Sequence, residues 1–355
     1  MEHSRGTRRS RLRGRSLSLA LALATCFVVS AASLAPASLA PASRAPASAV
    51  QALAPASQPA AGGPLPAPVA IPPFGAHGIA GEGRWRAAGR DVAGRPAIYT
   101  TELVPPSGST PAGIAWMDTR LLAARLYSGS ESPGGGPYRY TAPISPEAAR
   151  TLVAAFNGGF LMRDAEGGYF TEGRVVVPLR RGAASLVVYA GGGVAIGAWG
   201  SDVSMTQEVT SVRQNLVPLI SHGVPTVAAA SSDWQRWGST CGATSCAQDV
   251  PGIEHQWRSG LGITANGALV YATGPALAPV QLAEILVRSG AVRAMELDIN
   301  PAWPDFATFD QAPGALASPA NGAKLVASTV QGPWTFFEPW WPRDFVTLSA
   351  RSTAR

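Results

Sequence analysis

The chain has 355 residues, 46% of them hydrophobic and 14% charged, with 39 Gly and 31 Pro. That composition excludes a wholly disordered protein and leaves room for one large core or two small ones. The formal charge of +6 resides in residues 1–49, where seven arginines from Arg5 to Arg44 face Glu2 alone; the remainder is neutral and lacks the basic stripe that nucleic-acid binding requires.

Residues 1–35 have the form of a signal peptide or signal anchor. A basic start precedes an apolar run from Leu17 to Leu34 and small residues with A-x-A-like cleavage options. The run approaches the roughly 17–25 residues that span a bilayer, so cleavage and membrane anchoring through this segment both stay open. Either way the expected location is secreted or extracytoplasmic. Residues 36–76 repeat A-P-A-S-like units almost without charge and read as an extended, disordered tether. Residues 77–350 are then expected to form a single globular domain.

Within it, P-A-I-Y-T-T-E-L-V and I-A-W-M-D-T-R-L-L-A-A-R-L-Y read as strands. Ser145-Pro146-Glu147 starts a short helix with a polar N-cap and Pro at N1. Ala183–Trp199 reads as a hairpin around A-G-G-G, and Gly260–Thr273 as another with a type I′ turn at Asn266-Gly267. Val280–Ser289 places Leu282, Ile285 and Leu286 at helical spacing and stops at Gly290. The expected fold class is α+β: a twisted mixed β-sheet with a few helices packed on it. No Walker loop or G-x-G-x-x-G occurs, so nucleotide binding has no motif behind it.

Cys241 and Cys246 are the two cysteines outside the leader. In an exported chain they are most simply a disulfide. Closing so short a loop contributes roughly 2 kcal/mol on the loop-entropy model.

Four passages carry residues suited to chemistry. In M-E-L-D-I-N-P-A-W, strand alternation puts Glu296 and Asp298 on one face. Like charges that close raise one pKa or recruit a cation, which suits acid–base work. In A-A-F-N-G-G-F, a strand ends at Asn157, and Gly158 and Gly159 let backbone amides approach a ligand. In W-R-S-G-L-G-I-T, Arg258 opens a strand, where a guanidinium can grip a phosphate or carboxylate. Glu172 sits in the Gly-rich turn G-G-Y-F-T-E-G-R. The plainer readings are an exposed strand edge, an ordinary N-G-G turn and a surface arginine. Asn215 and His222 read as structural, His222 as a satisfied buried histidine, and Asp305 and Asp310 as solvated loop acids. No metal site is expected from the two thiols and the few histidines. Calcium is the one cofactor left open, through a site that recruits Asp305 or Asp310.

Taken in order, N-G-G-F-L at 157–161, R-S-G-L-G-I-T at 258–264, N-G-A-L-V at 266–270 and L-A-E-I-L-V-R-S-G-A-V-R-A-M-E-L-D at 282–298 resemble the phosphodiester glycosidase family over roughly residues 142–310. The resemblance implies an exported glycosidase acting on a sugar-1-phosphodiester or related cell-envelope glycan, with a carbohydrate partner. It casts Asp298 or Glu296 as base or electrostatic stabiliser, Arg258 as phosphate clamp and Asn157 as hydroxyl positioner. This chain departs from the family pattern at Glu296, where the family has Asn. It departs again at Ile299-Asn300-Pro301-Ala302, where the family has Gly-Gly-Gly-Ser. Pro301 has no amide to offer, so Asn300 and Trp303 are expected to replace the lost contacts. The rival readings are a non-catalytic glycan-binding module on the same scaffold and a metal-dependent phosphodiesterase.

Overall fold

The computed structural model describes residues 63–75, 78–106, 110–231, 234–238, 255–299 and 301–352. The leader, most of the proposed tether, the Cys241–Cys246 pair and Asn300 lie outside them. Among the described residues no helix is long and apolar enough to cross a membrane.

Among the described residues, three antiparallel sheets contribute to a shared central core. The largest runs Arg86–Ala87, Ile98–Leu103, Ala112–Met117, Leu269–Leu277, Gln256–Thr264, Ala291–Ile299, Ile220–Ser221, Val224–Pro225. A second runs Gly322–Lys324, Phe306–Phe309, Leu152–Asn157, Phe345–Ala350, Leu122–Tyr127. The third is built from Arg174–Val177, Tyr169–Thr171, Val209–Gln214, Ala184–Tyr189 and Val194–Ala198. Ile98, Leu126, Phe156, Leu186, Tyr271, Met295, Phe306 and Val346, drawn from all three, pack into that core. The expected α+β class is thus weighted toward sheet. Among the described residues every ladder between named strands is antiparallel, so the sheet is not mixed. Short links such as that between Ala184–Tyr189 and Val194–Ala198 fit antiparallel pairing, because parallel pairs need long crossovers.

The helix Pro279–Arg288 covers the outer face of the large sheet. Leu282, Ile285 and Leu286 are fully buried against Val270, Ala272 and Ala294, as their spacing predicts, and Gly290 takes φ +94° where the chain turns back. Leu65 and Ile71 are buried in the same cluster. Asp118 Oδ2 accepts from Leu65 N at 2.7 Å, so residues 63–75 run along the domain ahead of His77.

The Ala184–Tyr189 and Val194–Ala198 hairpin and the Ser145-capped helix Pro146–Ala149 form where the sequence predicts them. The turn at Asn266-Gly267 does not take the I′ form. Gly267 is left-handed (φ +92°) while Asn266 is not, and Thr264 N donates to Ala268 O at 2.9 Å. The result is a three-residue loop with Gly in the left-handed position.

Candidate active site

Where the Leu152–Asn157, Ala291–Ile299 and Phe345–Ala350 strands end together, the sequence leaves polar residues that the surrounding apolar runs bury. Asn157 is 7% exposed and bonded to protein through both its side-chain oxygen and its side-chain nitrogen. Its Oδ1 accepts from Tyr271 Oη (2.8 Å) and Asp305 N (3.2 Å), and its Nδ2 donates to Ser259 Oγ at 3.1 Å. Asn157 therefore ties the two sheets together, and its amide is occupied by protein.

Ser259 marks a break in strand register. Arg258 faces Ile299 while Gly260 faces Glu296, so two steps along one strand match three along the other. Leu297 and Asp298 both oppose Ser259, which is a β-bulge. Ser259 Oγ fills the gap, accepting from Asp298 N and donating to Asp298 O, each at 3.1 Å. The inserted residue reverses the alternation of side chains. Met295 and Leu297 enter the central core, whereas Ile299 enters the cluster under the helix. The expectation that Glu296 and Asp298 share one face is overturned by this bulge.

Each acid meets its own arginine. Glu296 is fully buried, and Arg258 Nη1 donates to its Oε1 at 2.7 Å. Arg258, also fully buried, further donates to Leu277 O (2.7 Å) and Trp237 O (2.9 Å). Arg258 is therefore no clamp at the mouth of a strand: the bulge and the helix side of the sheet enclose it, and a substrate phosphate has no access. Burial lifts the Glu296 carboxyl to about 7 against the opposing pull of Arg258.

Asp298 faces a narrow crevice lined by Asn157, Asp305, Trp303, Trp341, Arg343 and Asp344, with room for about one water. Its Oδ1 accepts from Ile299 N at 2.8 Å and its Oδ2 from Arg343 Nη2. Burial raises its pKa to about 7, with Arg343 as the largest opposing influence. Arg343 also donates to Gly159 O at 2.9 Å, and its guanidinium lies 4.5 Å from the centre of the Trp303 ring. Trp303 packs edge-on against Trp341 at 6.4 Å, and Trp341 against Trp334 at 5.8 Å. These are aromatic surfaces of the kind that sugar rings stack on.

Asp305 corrects the sequence reading most sharply. It is 2% exposed, not a solvated loop acid, and among the described residues neither carboxyl oxygen has a partner at hydrogen-bonding distance and angle. Burial raises it to about 7, although Thr335 and Lys324 lie near enough to oppose part of that shift. Asp310 is exposed, as expected.

A further ion pair braces the Gly158-Gly159 turn. Arg213 Nε donates to Asp344 Oδ2 at 2.8 Å with both side chains fully buried, and Gly158 N donates to Asp344 O at 2.9 Å. A Cβ on Gly158 would meet Asp344 Oδ2 at 2.1 Å, so the glycine is needed for close approach of the chain rather than for ligand access. Asn215 joins the same frame, accepting from Phe160 N (3.1 Å) and donating to Glu296 O (2.9 Å) and Leu297 O (3.1 Å).

Glu172 and His222 lie elsewhere. Glu172 is exposed and accepts from Arg139 N (3.1 Å) and Tyr140 N (3.0 Å). His222 is an exposed turn residue bonded to Ser221 Oγ at 2.8 Å, not a buried histidine. Among the described residues no group of three or more His, Cys, Asp or Glu is placed to hold a metal ion. Arg343 and Asp344 were not singled out in the sequence. Their one signal is a charged pair directly before the apolar strand F-V-T-L-S-A.

No family model and no curated protein matches the chain. Among solved structures, the zebrafish N-acetylglucosamine-1-phosphodiester alpha-N-acetylglucosaminidase catalytic domain, auto-inhibited by its pro-peptide, is 16% identical with a TM-score of 0.42, over 76% of this chain and 88% of that one. A hypothetical protein from Synechocystis is 13% identical with a TM-score of 0.37, over 72% and 63%. A Burkholderia pseudomallei protein assigned to export is 12% identical with a TM-score of 0.28, over 69% and 75%. Likeness at these scores carries no weight for activity or substrate.

Proposed function

We propose that the chain is an exported glycosidase hydrolysing a sugar-1-phosphodiester or a related cell-envelope glycan linkage. The observation that carries this reading is the meeting of two buried carboxyls, Asp298 and Asp305, with Arg343 and Trp303 in one crevice. The ordered motifs from Asn157 to Asp298 support it from the sequence. Water attacks the anomeric carbon and the glycosidic C–O bond breaks. Asp298 takes the water proton or stabilises the oxocarbenium-like transition state. Asp305, poised near neutrality, donates a proton to the leaving oxygen. Arg343 receives the role first given to Arg258, holding an anionic group beside the sugar. Trp303 and Trp341 offer faces to the ring. Glu296 with Arg258, and Arg213 with Asp344, form the frame that fixes these groups.

One observation favours a second reading, a glycan-binding module without turnover. The crevice has room for about one water, and Asp298 is already engaged by Arg343 and Ile299 N. The full chain is tested on a synthetic α-N-acetylglucosaminyl phosphodiester and on wall-derived glycans, with release of sugar measured beside Asp298→Ala. Release by wild type alone supports the enzyme. Equal traces from both proteins sink it, and binding of wall fragments without new reducing ends establishes the module.

A further inference from the structure

Two adjoining open concavities lie away from the crevice. Two compartments of about 460 and about 620 Å³ share Arg125, Tyr140 and Gly191 and so form one groove. It runs over the outer face of the Leu122–Tyr127 and Phe345–Ala350 strands, where Ala123, Arg125 and Tyr127 alternate outward beside Thr347 and Ser349.

Its charge is unusual for a body that is neutral as a whole. Arg125, Arg139 and Arg150 line the groove and are exposed. Among the described residues none of the three has a carboxylate within 4.0 Å. The groove's two acids pair with none of them and leave its lining with a net charge of +1. Glu147 sits in the first turn of a four-residue helix, and both oxygens of Glu172 are taken by the backbone amides of Arg139 and Tyr140. Glu172 thereby fixes the segment that carries Arg139. The Arg125 guanidinium lies 4.0 Å and that of Arg139 5.4 Å from the centre of the Tyr140 ring. Stacking on one aromatic ring restrains two cations that would otherwise sample many rotamers. Held guanidiniums without protein carboxylates are suited to two-pronged bonds with phosphate or carboxylate.

We infer that this groove is a second binding site, separate from the crevice, for a polyanionic chain whose phosphates or carboxylates pair with Arg125, Arg139 and Arg150. The inference does not depend on what the crevice catalyses.

The test measures binding of the full chain to polygalacturonate, to long-chain polyphosphate and to neutral dextran by titration calorimetry at low and at moderate salt. Wild type is expected to bind at least one anionic polymer, more weakly as salt rises, and dextran at least tenfold more weakly. The polymer preferred tells carboxylate from phosphate recognition. Arg125→Gln with Arg139→Gln is expected to weaken binding at least tenfold while melting as wild type does. Arg86→Gln with Arg95→Gln removes the same charge from exposed positions outside the groove and is expected to change binding less than twofold. Absence of anionic-polymer binding, equal binding of dextran, or equal losses in the two double variants would each overturn the inference.

Discussion

Glu296 and Asp298 stand two residues apart on one strand and yet serve opposite sides of the sheet. The bulge opposite Ser259 sends Glu296 to Arg258 under the helix and Asp298 to Arg343 in the crevice. Their substitutions should therefore fail differently. Glu296→Ala removes the buried carboxylate that Arg258 Nη1 bonds at 2.7 Å, and breaking that pair costs about 3–5 kcal/mol. Urea denaturation should show that loss. Asp298→Asn keeps the shape beside a residue at the crevice edge and should fold, while sugar release falls at least about 100-fold, the scale of a lost acid or base. An Asp298→Asn protein with wild-type turnover would remove Asp298 from the chemistry.

The sequence made the elements legible where one physical rule acts alone. Leu282, Ile285 and Leu286 define the helix by period, and Gly290 ends it. It also placed Asn157 and Asp298 in one neighbourhood through their motifs. What escaped it was the bulge, because alternation of side chains assumes an unbroken ladder and nothing in A-M-E-L-D marks the inserted residue. Arg258 escaped it for a different reason: the first residues of a strand are exposed or buried according to what packs over them, here the backbone at Leu277 and Trp237. Asp305 and Arg343 lie in segments without hydrophobic period, and only tertiary packing buries them.

Asp305 should make stability depend on pH. Its folded pKa is about 7 against an ordinary value of 3.8, so the folded state holds the proton more tightly than the unfolded chain. The stability it contributes is complete below about pH 4 and is lost as pH rises through about 7. The full span is about 4 kcal/mol, from about 1.4 kcal/mol per pH unit. Asp305→Asn should flatten that slope and melt higher than wild type at pH 8. An unchanged pH–stability curve would show that the carboxyl is not buried in its ionised form.

Arg343 opposes the rise in the Asp298 pKa more than any other group. Arg343→Gln should therefore move the limb of the pH–rate profile due to Asp298 upward from about 7. It should also raise KM for an anionic substrate by at least about tenfold, from loss of a charge-assisted contact. A neutral glycoside should show the pH shift with little change in KM. If both substrates lose KM equally, Arg343 shapes the crevice rather than gripping an anion.

Gly158→Ala tests the frame behind the crevice. The added methyl would meet Asp344 Oδ2 at 2.1 Å and Asp344 O at 2.8 Å, both on a residue fixed by Arg213 and by Ser132 Oγ at 3.0 Å. Relief requires the Arg213–Asp344 pair to open inside the protein, so a loss of about 3 kcal/mol or more is expected. A thermal melt within 2 °C of wild type would show that the turn has slack the packing does not reveal.

The roles of Asp305 and Asp298 separate by leaving group. A phosphodiester leaves as a stable anion and needs little protonation, whereas a sugar alkoxide leaves only with a proton. If Asp305 is the acid, Asp305→Asn should slow release from an alkoxide-type glycan at least about 100-fold. It should slow release from a sugar-1-phosphodiester less than about tenfold. Asp298→Asn should slow both alike, because attack at the anomeric carbon is common to the two reactions. Initial rates on the paired substrates, at a pH near 7 where Asp298 can be ionised while Asp305 carries its proton, give the comparison directly. Equal losses on both substrates in Asp305→Asn would mean that Asp305 supports the crevice through its shape or field, and the proton donor would have to be sought among the other groups that line it.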